Sequence, residues 1–328
     1  MTPRRLPSLV VALAALCALA GCGLGAGSAP KDVALTVTRD FGARVLHQAH
    51  APRIVGEETV MSLLQRNATV TTRYGGGFVQ SIDGLSGGSE SGYPVDWFYY
   101  VNGVEATKGG SATVVHPGDR IWWDRHDWSQ TDNVPAVVGS FPEPFLAGIE
   151  GKRLPVRVEC AEAESSACQG VLGRLRSLGV PAALASISGG DEPYTLRVLV
   201  GELSKLIADP GVHQIESGPR YSGVYARFGA NAKKLQLLDA NGRTVLTLGA
   251  HAGLVAATRY REEAPVWVVT GTDEYGVNRA AAALSEATLR NRFAVALPST
   301  GAPLALPMAE PVAHVADESQ SAQAGSMP

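Results

Sequence analysis

The sequence predicts an α+β protein in two parts: a strand-rich N-terminal half, and a C-terminal α/β half built on a mixed sheet with short helices. Three observations carry this expectation. Four of the five tryptophans lie between Phe78 and Trp128, in segments that alternate with a period of two. Between Asp132 and Pro155 the chain collects Pro135, Pro142, Pro144 and Pro155 with Gly139, Gly148 and Gly151, and neither strand nor helix period persists. Beyond Pro155, strand-like and helix-like runs take turns, which favours a partly parallel sheet covered by helices.

At the start of the chain, Arg4 and Arg5 precede an apolar run from Leu9 to Ala20 that ends in Leu19-Ala20-Gly21-Cys22. This reads as an export signal over 1–21. The run is well short of the roughly 20 residues that a membrane-spanning helix needs. Small residues before a cysteine resemble a bacterial lipobox, in which cleavage leaves the cysteine as an acylated N-terminus. Lipidation is therefore expected at Cys22, against the alternative of an ordinary secretory signal with a chance cysteine. Residues 22–30 then form a flexible tether, and the protein is placed on the extracytoplasmic face of a bacterial cell membrane. Loss of Arg4 and Arg5 moves the formal charge from −3 to −5, so no nucleic-acid partner is expected.

The first domain is assigned to 31–130. Val33 to Thr38 alternates as a strand, Phe41 to Leu46 can return beside it, and Thr59 to Leu64 reads as a short helix after Glu57-Glu58. A strand pair, a helix and further strands fit a β-grasp. In the stretch DWFYYVNG, Trp97, Tyr99 and Val101 fall on one face of a strand and Phe98 and Tyr100 on the other. Ile121 to Asp124 repeats the pattern. Both faces are therefore aromatic, and the second needs a cover: a flat ligand, a partner, or the rest of this chain.

Gly77-Phe78-Val79 with Ile82-Asp83-Gly84, Trp97 with Val101-Asn102-Gly103, Gly118-Asp119 before Ile121, and Trp128 follow one another in an order and spacing that resembles the C-terminal domain of transcobalamin and intrinsic factor and its bacterial relatives. The resemblance runs from about Val33 to Trp128 and implies a β-grasp-like fold. It also implies a corrinoid as ligand, held between this domain and a helical barrel. No helical repeats occur in this chain, so a barrel partner or an importer is expected to complete the site. Ligand contacts are assigned to Trp97, Tyr99, Asn102, Trp123 and Trp128, although such tryptophans more often serve as core.

Residues 131–153 are read as a Pro/Gly-rich linker and 154–307 as the α/β domain. Val156 to Glu159, Leu196 to Val200, Tyr225 to Phe228, Leu235 to Leu238, Val266 to Thr270 and Phe293 to Leu297 read as strands. Helices are expected over Gln169 to Leu178, from Glu202 to Ile207, and near Val277 to Arg290. Asn241-Gly242 is a strong hairpin signal. Cys160 and Cys168 close a short loop that an exported compartment would oxidise to a disulfide. A metal site there is disfavoured because no histidine joins the two thiolates. The polar, small-residue stretch 308–328 reads as a disordered tail.

Motifs with catalytic lettering fail on context. Ser86 in Gly84-Leu85-Ser86-Gly87-Gly88 lacks the helix that a nucleophile elbow requires, because Gly87, Gly88 and Gly92 follow it. The glycines of 21–26 sit at the cleavage site with no strand before them. At Thr270-Gly271-Thr272-Asp273-Glu274 the carboxylates would cap a helix and repel an anion. His116 and His126 with Asp124 and Asp127 are read as turn and strand-end residues rather than ligands to a metal or to the cobalt of a corrinoid. No nucleophile, base and orienting group can be assembled from the spacing, so no enzyme and no resident cofactor are expected.

The expected function is a membrane-anchored binding lipoprotein that contributes to capture of a corrinoid. The alternative is a surface interaction module without a small-molecule ligand. The lipobox makes its own prediction: Cys22→Ala should abolish incorporation of labelled fatty acid and release the protein from the membrane fraction, and continued labelling would remove the anchor.

Overall fold

The computed structural model describes residues 32–51, 57–189, 192–261 and 263–309. The expected signal, Cys22, the tether and most of the tail lie outside the described residues. The mixed α+β class is as expected, with one mixed sheet in the N-terminal half and a seven-stranded mixed sheet with packed helices in the C-terminal half.

The first half contains β1 (Val33–Arg39), β2 (Arg44–Ala51), α1 (Val60–Asn67), β3 (Val70–Arg73), β4 (Phe78–Ile82), β5 (Leu85–Ser86), β6 (Gly88–Glu90), β7 (Tyr93–Val101), β8 (Val104–Glu105) and β9 (Arg120–Asp127). The main sheet has the order β2-β1-β9-β7-β6, with β8 hydrogen-bonded to β7. β1 runs parallel to β9, with Val37 opposite Trp123. α1 starts where Thr59 and Ser62 exchange side-chain and backbone hydrogen bonds in a capping box. It buries Val60, Met61, Leu63 and Leu64 against Leu35, Val37, Trp97, Tyr99 and Trp123, so one aromatic face of the sheet forms the core of its own domain.

The opposite face carries Phe41, Tyr100 and Trp122, and the C-terminal half of the chain covers it. Phe293 is the hub of this contact, with ring centroids 5.2 Å from Phe41, 5.6 Å from Tyr100 and 5.2 Å from Trp122, each edge-on. Tyr225 adds an edge contact to Phe41 at 5.2 Å. The fit is close in two places. Gly42 has φ +81°, and a Cβ there would lie 2.0 Å from the Asn291 carbonyl oxygen; a Cβ on Gly139 would lie 2.6 Å from the Trp122 ring.

The segment expected to be a linker takes part in this packing. Val134, Ala136, Val137, Val138, Phe141 and Phe145 are buried, and Phe141 and Phe145 approach Trp267 at 5.9 and 5.1 Å. The prolines and glycines do exclude regular structure, as their composition signals. The apolar residues between them decide where the segment lies.

The second half contains β10 (Val156–Cys160), α2 (Ser166–Ser177), β11 (Ala182–Ala185), β12 (Leu196–Glu202), α3 (Leu203–Leu206), α4 (Pro210–Ser217), α5 (Pro219–Ser222), β13 (Ala226–Phe228), β14 (Leu235–Leu238), β15 (Thr244–Leu248), β16 (Gly253–Thr258), β17 (Val266–Gly271), α6 (Glu274–Ala282), α7 (Glu286–Leu289), β18 (Ala294–Leu297) and β19 (Leu304–Leu306). The sheet order is β11-β10-β12-β17-β16-β18-β19. β10, β11, β12 and β17 are parallel, and β16 lies antiparallel between β17 and β18. α2 and α6 cover one face through Val171, Leu172, Leu175, Val277 and Ala280. α3, α4 and the small sheet β13-β14-β15 share the other face with the inter-domain core. With both faces covered, β16, β17 and β18 are buried along their whole length, as their continuous apolar runs require.

The expected helix near Val277 to Arg290 is two helices, because the Ser285 hydroxyl accepts from the Thr288 amide and restarts the chain as α7. Asn241-Gly242 does turn β14 into β15. Met308, at the edge of the expected tail, donates its amide to the Leu238 carbonyl.

The expected disulfide is present, joining Cys160 at the end of β10 to Cys168 in the first turn of α2. In the chain-entropy account a nine-residue loop contributes about 2.6 kcal/mol. The Cys160→Ala, Cys168→Ala double variant should lose about that much in urea unfolding, and an unchanged midpoint would show that the bridge does not stabilise the fold.

Candidate functional site

The residues selected from sequence as ligand contacts lie mostly inside the first domain. Trp97 is buried and donates its Nε1–H to the Leu85 carbonyl at 3.0 Å. Tyr99 stacks on Trp123 at 4.6 Å, and its hydroxyl donates to the Lys108 carbonyl at 2.5 Å. Asn102 sits fully buried at the β7–β8 turn. Its Nδ2 donates to Asp119 Oδ1 and to the Gly148 carbonyl, both at 2.8 Å, and its Oδ1 accepts from the Arg120 amide. Trp128 is 38% exposed, at the opposite end of β9 from that turn. These five residues do not share one surface.

The other motifs hold structural bonds. His126 stacks between Phe41 and Phe98, each at 4.5 Å, and its Nδ1 lies 2.8 Å from Asp124 Oδ1. Asp124 also accepts from the Phe41 and Gly42 amides and pairs with Thr38, pinning the β1–β2 turn. Asp273 accepts the Gly276 amide at 2.9 Å and caps α6, as expected. Among the described residues no cluster of three or more His, Cys, Asp and Glu side chains has metal-ligating geometry.

What the sequence reasoning missed is a groove of about 600 Å³ between the two halves. The β7–β8 turn supplies Val101, Val104, Glu105 and Ala106 to one wall, followed by Lys108 and Val114. The turn around Ile149 to Lys152 and the loops carrying Tyr194, Arg259 and Ala264 supply the other. No local pattern could have revealed it, because its walls come from four separated segments.

Chemically the groove mixes apolar residues with charged and polar ones. Lys108 pairs with Glu150 at 3.5 Å, and Arg259 donates Nε–H to the Glu263 carbonyl at 2.6 Å. His116 Nδ1 is 3.5 Å from Asp119 Oδ2, too long and poorly aligned to count as a hydrogen bond. Tyr194 stands 78% exposed at the rim. The Glu105 backbone is tied to the Pro135 carbonyl and its carboxyl accepts from the Val134 amide, yet Oε2 has no hydrogen-bond partner. Burial pushes this carboxyl up to about 8, the Val134 bond opposing the shift and Asp132 adding to it.

A second cleft, of about 310 Å³, lies beside β1 and β2 and takes Ala34, Thr36 and Trp122 into its lining. Arg120 there is bonded to Glu286 and to the Phe141 carbonyl at 3.0 and 2.9 Å. Glu143 lies buried there, pushed up to about 7 by desolvation although the Ala147 and Leu146 amides donate to it. The larger groove offers more apolar wall and more room, as a ligand site requires.

Glu105 has a measurable consequence for stability. Its folded-state value lies above its ordinary one, so the folded protein holds a proton that the unfolded chain releases, and the associated stability is lost as pH rises through about 8. Glu105→Gln should flatten stability across this range and leave the variant more stable than the parent on the alkaline side, measured by urea unfolding at several pH values. Parallel pH profiles for the two proteins would place the Glu105 carboxyl in an ordinary environment.

Residues 57–127 match a family model described as a domain of unknown function (DUF4430), a segment that starts just before α1 and ends with β9. The match takes in less than a quarter of the chain, and it contains the β7–β8 wall of the groove and not the opposite wall. No curated protein matches the chain.

Proposed function

We propose that the protein is a membrane-anchored extracytoplasmic binding lipoprotein that holds a small amphipathic molecule in the groove between its two halves and performs no reaction on it. The observation that carries this reading is the groove itself: about 600 Å³ of space between the two halves, with Val101, Val104, Val114, Leu154 and Ala264 among its walls. The anchor rests on the Leu19-Ala20-Gly21-Cys22 motif and the glycine-rich residues behind it.

The transcobalamin-like resemblance supports a corrinoid as one ligand to try. Trp97, Tyr99 and Trp123 are already stacked or bonded within the domain, so a macrocycle would meet the groove walls rather than those rings. The interaction-module reading draws on the same aromatic strands. Their second face is spent on the contact with Phe293 and Tyr225, which leaves the groove as the more direct support for a binding role.

The mature chain from Cys22 onward, produced without acyl groups, serves for the test. Calorimetric titration with small amphiphiles and with cobinamide should give saturable heat for at least one of them, lost or weakened at least about tenfold by filling the groove with Ala106→Trp. Saturable binding unaffected by that substitution would move the site elsewhere. No saturable heat from any probe would end the binding reading.

A further inference from the structure

We propose that the smaller cleft, beside β1 and β2, binds a free amino acid with a small apolar side chain, its ammonium on the open oxygen of Glu143 and its carboxylate on Arg120. This site shares no lining residue with the larger groove, so the inference stands apart from the reading of that groove.

Glu143 is only 1% exposed, and the amides of Leu146 and Ala147 both donate to its Oε2. Oε1 forms no hydrogen bond among the described residues and, unlike Oε2 of Glu105, is not closed off from solvent. Because Glu143 lines the cleft, that oxygen opens into it. Arg120 stands close by. Its Nη1 donates to the Phe141 carbonyl, in the same turn as Glu143, and to Glu286, and its positive charge acts on the Glu143 carboxyl. Nε and Nη2 of Arg120 donate to none of the described residues, and the side chain is 31% exposed.

The charges leave a dipole across the cleft. Glu286 is shared between Arg120 and Arg290, each 3.0 Å away, so these three side chains carry one excess positive charge. Glu143 supplies the negative end. Desolvation outweighs its two amides and Arg120 and lifts the carboxyl to about 7, so above that value a buried carboxylate stands without a full counter-charge. A lone anion would suit Arg120 and be repelled by Glu143, and a lone amine would meet the reverse. A ligand carrying both charges satisfies both ends. In an α-amino acid one carbon separates ammonium from carboxylate, so the two charge-assisted bonds form together.

The rest of the lining sets the size and the side chain. Ala34, Trp122, Pro142 and Leu146 offer apolar surface against which a small alkyl group leaves water. At about 310 Å³ the cleft is at the small end of ligand sites, which suits a single amino acid rather than a peptide.

Two sets of probes separate this from its alternatives, titrated calorimetrically at about pH 8 into the unacylated mature chain: L-alanine with propanoate and ethylamine, and L-valine with 3-methylbutanoate and isobutylamine. Within each set the second and third compounds lack the amino group or the carboxylate. At least one of the two amino acids should bind with saturable heat, at least about tenfold more tightly than either of its counterparts. Glu143→Gln, which keeps the shape and removes the charge, should weaken it by at least about tenfold with the urea midpoint showing a folded protein. Ala34→Phe, which fills the cleft from β1 and touches neither charged group, should abolish binding, whereas Ala106→Trp in the larger groove should leave it unchanged.

Absence of saturable heat from both amino acids would overturn the proposal and leave the groove reading standing. Equal or tighter binding of the acid or the amine would overturn the assignment to a zwitterion. Amino-acid binding that survives both Glu143→Gln and Ala34→Phe, or that is lost with Ala106→Trp, would place the ligand outside this cleft and overturn it as well.

Discussion

Phe293 sits where the second face of the first sheet would otherwise expose aromatic surface to water, and the rest of the architecture follows from the way that surface is covered. A strand with rings on both faces can give only one face to the core of its own domain. Trp97, Tyr99 and Trp123 occupy that core with α1. Phe41, Tyr100 and Trp122 are left over, and Phe293 and Tyr225 from the C-terminal half meet them edge-on. A buried aromatic pair contributes about 0.5–1.5 kcal/mol beyond its area, so several such pairs make separation of the halves costly. Both clefts are by-products of this contact, since each lies where the rims of the two halves diverge.

The second sheet has an ionic counterpart to that aromatic contact. Arg197, buried in β12, donates from Nε and Nη2 to the two oxygens of Glu159 in β10 at 3.0 and 2.9 Å, and from Nη2 to Asp209 at 2.5 Å. Asp209 in turn caps α4 through the Gly211 amide. Although burial opposes ionisation, the bonds from Arg197 and Ser188 hold the Glu159 carboxyl below the usual range. Such a network adds little net stability over an apolar equivalent, but loss of one partner would strand a buried charge. It fixes the register of β10 on β12 and the position of α4, which the non-directional apolar core could not do alone.

The legible features were those written in local pattern. Period-two runs, the Thr59 start of α1, the Asn241-Gly242 turn, the Asp273 cap and the Cys160–Cys168 loop are all decided by residues within a few positions of one another. Features set by distant contacts were not legible. The stretch 131–153 has linker composition, but Phe141 and Phe145 find Trp267 more than a hundred residues away. The burial of Trp97, Tyr99 and Trp123 turns on a question that alternation cannot answer, namely which of two equivalent aromatic faces turns inward. Glu105 carried no sequence signal, because its unusual state arises from burial beneath a connection that regular patterning does not describe.

The insertion of β16 between β17 and β18 bears on the order in which the molecule assembles. The α6–α7 crossover carries the chain from β17 to a strand that does not touch it, so neither neighbour in sequence can template the other. β16 pairs with both and has to be seated first, and β18 brings Phe293 with it. The contact between the halves can therefore mature only after the C-terminal sheet is nearly complete. For a chain made from the N-terminus, the first domain's outer aromatic face must wait, wetted and adhesive, for the last strands to arrive.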